Sequence, residues 1–221
     1  MADDDWKDES LALLRLACVH GLGRAHARQL LDALGTARAV FDEGPVHLDA
    51  AGEHAMAAAL RKRPDEKHVE RALRWREAAG HHLIAWCSER YPALLRQIAD
   101  PPLVLYACGR IELLQGPAIA IVGSRNATAQ GKMDAFEMAR ALSAAGLCVA
   151  SGMALGIDAS AHEGALAGPG SSVAVLGTGI DRIYPATSAL LKNGGRINLT
   201  LRRVTVPAEP AQPAGGGSGL T

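Results

Sequence analysis

Ala118-Ile119-Ala120-Ile121-Val122-Gly123-Ser124-Arg125-Asn126-Ala127-Thr128-Ala129-Gln130-Gly131 opens as an apolar, partly β-branched run and then breaks at a glycine. A short continuous run of this kind is expected to be a strand buried on both faces. A small polar loop follows Gly123. Beyond Gly131 the apolar period changes: Phe136, Ala139, Leu142 and Ala145 fall near one face of a helix. Strand, glycine loop and helix together aim backbone N–H groups and the positive end of a helix dipole at one point, which suits an anion. Arg125 stands in that loop, and its planar guanidinium suits bidentate contact with a phosphate. A plain strand-to-helix turn with a solvated arginine has the same pattern, and one glycine loop does not separate the two.

The pattern recurs downstream. Leu147-Cys148-Val149-Ala150-Ser151-Gly152 reads as a second strand, followed by a loop to Asp158 and a helix through Ala161, His162 and Ala165. Ser172-Val173-Ala174-Val175-Leu176-Gly177 reads as a third, followed by Thr178-Gly179-Ile180-Asp181. Strands alternating with helices imply a parallel sheet with helices on its faces. Ligands of such sheets bind at the carboxyl ends of the strands. The glycine loops all follow strand ends, so they are expected to converge on one crevice.

Three motifs now stand in order. They are Gly123-Ser124-Arg125 with Thr128 and Gly131, then Ser151-Gly152-Met153-Ala154-x-Gly156-Ile157-Asp158 with Ala161-His162, then Ala174-Val175-Leu176-Gly177-x-Gly179-x-Asp181-x-x-Tyr184-Pro185. In sequence and spacing they resemble the DNA-processing protein A (DprA, or Smf) family, over about Leu11 to Leu191. The resemblance implies an α/β fold, a Rossmann-like parallel sheet preceded by a small helical SAM-like domain. It implies a bacterial, cytoplasmic protein that binds single-stranded DNA without catalysis or cofactor. Such proteins protect incoming DNA in natural transformation and help load a RecA-type recombinase; a homodimer stays open. Arg125 would contact a phosphate, with Gly123, Ser124, Gly152 and Gly179 forming the rest of the cradle.

Composition narrows the classes. The 221 residues suffice for one large domain or two small ones, and 48% are hydrophobic. Formal net charge is zero, so DNA binding must come from a local patch. Aromatics make up only 4%, which limits binding by many stacked bases. Cys18, Cys87, Cys108 and Cys148 form no CxxC pair, so a zinc site is not expected and reduced thiols are. The acidic N-terminus has no apolar signal region, and no apolar run reaches a membrane span.

Taken along the chain, residues 1–80 are expected to be helical, 81–192 to form a partial Rossmann-like core, and 193–221 an irregular or disordered tail. Ser10 suits a helix N-cap ahead of Leu11, Leu14 and Ala17. Gly21-Leu22-Gly23 separates this helix from a second one closing at Gly35, the form of a helix-hairpin-helix unit. Its glycines serve either a DNA phosphate or simply a tight turn between helices. Further helices are expected over 50–61, ending in the basic run Arg61-Lys62-Arg63, and over 65–79. Strands are expected at 83–86 and 103–106, with a short one at 197–201. Pro207, Pro210, Pro213 and a glycine run follow. The family's later motifs are not seen, so the chain reads as a shortened or frame-shifted member. Parallel strands that stop there are expected to leave an open sheet edge.

No catalytic constellation emerges. Gly123-Ser124-Arg125 lacks the Gly-x-Ser-x-Gly of a nucleophile elbow, and Gly131-Lys132-Met133 lacks the flanking residues of a P-loop. Gly177-Thr178-Gly179 lacks the third glycine of a dinucleotide fingerprint. His162 is expected to be structural, and Asp158 to cap the helix that follows. The competing class is a nucleotide-processing enzyme related to lysine-decarboxylase-like phosphoribohydrolases. Its Pro-Gly-Gly-x-Gly-Thr loop has no counterpart in this sequence.

Overall fold

The first strand is reached only after five helices. The computed structural model describes residues 8–64, 66–177 and 196–200, the last by backbone alone. The helices are α1 (Asp8–Ala17), α2 (Arg24–Leu34), α3 (Ala37–Ala50), α4 (His54–Lys62) and α5 (Glu66–Arg76). α1 begins earlier than expected, so Ser10 lies inside it, buried, and is not its cap. α2 closes at Gly35 as expected. No element was expected over α3, which contains the local helix breaker Gly44-Pro45. Thr36 starts α3 by accepting the Ala39 N–H at 3.1 Å. Gly44 and Pro45 are buried, with Gly44 against Leu60 of α4. Packing there outweighs the helix hydrogen bond that proline removes.

Leu13, Leu14 and Leu16 of α1 join Val40, Leu60 and Val69 in one apolar cluster. That cluster continues onto Leu83 and Ala85 of β1 (His81–Ala85) and Val104 and Tyr106 of β2 (Val104–Cys108). The helical layer thus covers one face of the first two strands. Between them in the chain lies the short helix α6 (Ala93–Arg96). The remainder runs β3 (Ala118–Ala120), α7 (Ala129–Ala144), β4 (Cys148–Ser151), α8 (Ile157–Leu166), β5 (Ser172–Leu176) and β6 (Arg196–Thr200).

The sheet order is β1-β2-β6-β5-β4-β3. β3 to β6 are parallel neighbours, β2 is antiparallel to β6, and β1 is antiparallel to β2. β1 therefore runs with β3 to β6. The carboxyl ends of these five strands and the start of β2 share one edge of the sheet. α7 and α8 pack on one face through Ala139, Val149, Ala161 and Ala165. The other face gathers Ile84, Leu105, Ile111, Cys148 and Val173 around Tyr91.

Two expectations change. The short strand expected at 197–201 is β6, one residue earlier, and it lies between β5 and β2, so β5 is not an edge. Among the parallel strands β3 is the one at an edge. It is not buried on both faces: Ala118 and Ala120 are exposed and Ile119 is 41% exposed. Its composition suits burial, but among the described residues nothing pairs with its outer side. Gly179, Asp181, Tyr184, Pro185 and the tail beyond 200 lie outside the described residues.

Candidate nucleic-acid interface

Two of the expected loops meet at the carboxyl edge and interlock. Ser151 Oγ donates to the Ile121 carbonyl at 2.7 Å, and the Ile157 N–H donates to the Ser124 carbonyl at 3.2 Å. The first loop therefore rests on the start of α8. Glycine is required at both contact points. A Cβ on Gly123 would lie 2.7 Å from Ile157 Cγ1. Gly156 has φ +82°, and its Cβ would lie 2.2 Å from the Ser124 carbonyl oxygen. Real atoms do not approach so closely, so these glycines set the fit of loop on loop.

Asp158 holds the second loop from below. It is buried, and its Oδ2 accepts the N–H groups of Gly152 at 3.1 Å and Ala154 at 3.3 Å. These donors precede α8, so Asp158 ties back the incoming loop and does not cap the helix after it. Between them Met153 adopts φ +61° with its side chain buried against Ala174 and Leu176. A bulky residue held at positive φ needs such surrounding support. The Gly152 N–H is spoken for by Asp158, so Gly152 shapes the crevice wall through its small size.

Arg125 is exposed at the end of β3, and among the described residues it forms no ion pair. Ser124 beside it accepts the Asn126 N–H at 3.1 Å, which turns the loop. α7 then starts at Thr128, whose Oγ1 accepts the Gly131 N–H at 3.1 Å. The N–H groups of Ala129 and Gln130 precede any intrahelical acceptor. Lys132, exposed on that first turn, is a second cation without an ion pair among the described residues. Sequence reasoning did not single out Lys132 for the site; its place on the first turn follows from the helix start at Thr128-Ala129, and its lack of an ion pair only from the folded structure. The nearby acids are engaged by other side chains. Asp134 accepts from Gln130 at 2.7 Å, and Glu137 holds Arg140 at 2.6 Å. The edge thus offers two cations, a helix N-terminus and a hydroxyl around a glycine-lined notch.

Residues 82–198 match the family model described as DNA recombination-mediator protein A. The chain belongs to that family. Protein Smf of Escherichia coli is 38% identical over 136 residues, which cover 59% of this chain and 36% of that one. DNA processing protein DprA of Bacillus subtilis is 34% identical over 144 residues, 64% of this chain and 48% of that one. The chain thus spans between about a third and a half of these curated relatives. The X-ray structure of DNA processing protein A (DprA) from Streptococcus pneumoniae superposes with a TM-score of 0.66 at 25% identity, covering 89% of this chain and 67% of that one.

Within this member of the recombination-mediator family, His162 is structural. It is fully buried, and its Nδ1 lies 2.6 Å from Ser172 Oγ. Ser172 gives its own proton to the Val149 carbonyl at 2.8 Å, so Nδ1 is the donor. The basic run at the end of α4 is engaged within the helical layer. Arg61 pairs with Asp49, and Arg63 lies over the Phe41 ring at 5.3 Å. Among the described residues no group of histidines, cysteines or carboxylates is placed to hold a metal ion, and no helix is long and apolar enough to cross a membrane.

Proposed function

We propose that the notch at the carboxyl edge binds the sugar–phosphate backbone of single-stranded DNA and performs no chemistry on it. One observation carries this reading: Arg125 stands exposed in the loop after β3, without an ion pair among the described residues, beside the N-terminus of α7. Lys132 adds a second charge, and Ser124 adds a hydroxyl. The fixed loops keep these groups in place before a ligand arrives, which lowers the ordering cost of binding. The family's description as a recombination mediator supports a role in protecting incoming DNA and passing it to a RecA-type recombinase. The cytoplasm is the compartment where both would be met.

The test is Arg125→Ala, read by fluorescence anisotropy on single-stranded oligonucleotides. Hydrogen bonds to charged groups contribute about 1.5–3 kcal/mol, so affinity is expected to fall by roughly ten-fold or more. The loss should be equal across base sequences, because phosphate contacts carry no sequence information. Arg140→Ala, further along α7 and away from the loops, should change little. Unchanged binding by a folded Arg125→Ala protein, or equal losses from both substitutions, would sink the proposal. A nucleotide-release assay separates it from the phosphoribohydrolase alternative.

A further inference from the structure

The carboxyl edge does not end at the parallel strands. Ala85, the last residue of β1, pairs with Val104, the first of β2, and the Trp86 N–H donates to the Leu103 carbonyl at 2.8 Å. Trp86 therefore stands on the same edge as Arg125, at the opposite end of the sheet. Three arginines from two elements, α2 and α6, gather there. Arg28 of α2 lies over the Trp86 ring at 4.2 Å, and Arg96 of α6 lies 5.9 Å from that ring and 5.6 Å from the Tyr91 ring. Arg24, at the start of α2, reaches Asp100 at 2.7 Å. Asp32 holds Arg28 at 2.9 Å, while Arg96 has no carboxylate partner among the described residues. Three guanidiniums thus face two carboxylates, leaving a net positive spot.

The hydrogen bonding of this cluster is incomplete. Arg28 Nη1, Arg96 Nε and Trp86 Nε1 are buried donors with no acceptor among the described residues. Buried donors are ordinarily paired, and a group of them around one ring calls for an acceptor. Beside Arg24 opens a cavity of about 430 Å³, walled by Leu16, Leu22, Ala27, Pro102 and Val104. The Gly21-Leu22-Gly23 turn leads into it, and Gly23 is the N-cap of α2, with no side chain capping the helix's first N–H groups.

We propose that the Trp86 arginine cluster is a second phosphate-binding pole for the same single-stranded DNA. The inference rests on the proposed reading of the Arg125 notch. The strand crosses the carboxyl edge from Arg125 and Lys132 to Arg28 and Arg96. Among the described residues the sheet has six strands, and their five spacings put the poles roughly 24 Å apart. Guanidinium N–H groups supply the donors, and the apolar cavity beside Arg24 accepts the face of a base. Two poles on one flexible ligand reinforce each other, because engaging the first raises the effective concentration at the second.

The experiment is a length series of thymidylate oligonucleotides, from about 4 to about 16 nucleotides, the span of one single-strand groove. Each is titrated by anisotropy at several salt concentrations against the whole chain, Arg28→Gln, Arg96→Gln and Arg125→Ala. Affinity should rise with length once both poles are reached. Arg28→Gln and Arg96→Gln should then bind the longest oligonucleotide about ten-fold more weakly and the shortest as tightly as before, a factor typical of one charged hydrogen bond. Their log–log salt slope should flatten by about 0.7 for each phosphate no longer neutralised, on long oligonucleotides alone. Wild-type affinity in both glutamine variants, with weaker binding by Arg125→Ala, overturns the second pole and leaves the notch standing. No DNA binding by the unaltered chain overturns both. Should the glutamine variants unfold, the unaltered chain decides: a salt slope independent of oligonucleotide length overturns the second pole.

Discussion

Gly156 shows how far one atom constrains the site. Its φ of +82° and the 2.2 Å approach a Cβ would make to Ser124 leave room for no side chain. Gly156→Ala must either push the Gly123-Ser124-Arg125 loop outward or unwind the start of α8. Backbone strain of this kind costs about 1–3 kcal/mol. We expect a lowered unfolding midpoint together with weakened DNA binding, although residue 156 carries no charge. Chemical denaturation paired with anisotropy checks this, and a variant with unaltered stability and affinity would show that the loops are not locked together. Arg125 itself is constrained differently. Its value lies in having no ion pair among the described residues, whereas Arg140, Arg61 and Arg15 are already committed to Glu137, Asp49 and Glu66.

At the scale of elements, β3 is the exposed member of the sheet. The Cys148 N–H donates to the Pro117 carbonyl and the Ile121 N–H to the Ala150 carbonyl, so the odd-numbered residues face β4. The main-chain groups of Ala118, Ala120 and Val122 therefore point outward. Val122 is 75% exposed and Met138 on the neighbouring helix 60% exposed. An apolar edge with no charge, proline or bulge is a template for another chain. We expect association that grows with protein concentration, through β3 rather than through the end of the parallel strands where the sequence placed the open edge. Ala120→Lys should suppress it, because a lysine there blocks pairing without touching the ladder to β4. Dynamic light scattering decides, and identical size distributions for the two proteins would count against β3 as the cause.

For the whole molecule, the joint between the helical layer and the sheet sets a pH limit. Burial pushes the Cys18 thiol from 9.0 up to about 11, with the Glu66 charge adding to it. Below pH 9.0 the thiol is protonated both folded and unfolded, and stability is fully present. As pH rises through the folded value the unfolded chain gains by ionising first, and stability falls by about 2–3 kcal/mol. Burial also raises the Tyr106 and Tyr91 phenols, the latter opposed in part by Arg96, Arg28 and Arg24. Both losses have the same sign and set in above the thiol's. Urea midpoints measured from pH 8 to pH 11 should therefore drop, and Cys18→Ala should flatten the first part of that drop. A wild-type slope in Cys18→Ala would place its origin elsewhere.

The strands after Pro117, the helices that follow them and the loops at their ends were legible in the sequence, because apolar period and glycine position are local properties. The helix over Ala37–Ala50 was not, since Gly44-Pro45 says turn locally and only burial against α4 reverses it. Arg125 could be singled out from its place after a strand and before a helix. Lys132 could not, because its lack of a partner depends on where Glu137 and Asp134 spend their hydrogen bonds. Asp158 read as a cap from its spacing, yet it reaches backward to Gly152 and Ala154, a choice made by the folded loop. The sequence by itself determined most of the strands and helices and the glycine loops that follow the parallel strands, because those depend on neighbours in the chain. Only the tertiary structure decided that β3 is an edge, that β6 fills the gap beside β2, and that Trp86 shares an edge with Arg125. Strand order and direction are set by contacts between residues far apart in the chain, and no local pattern records them.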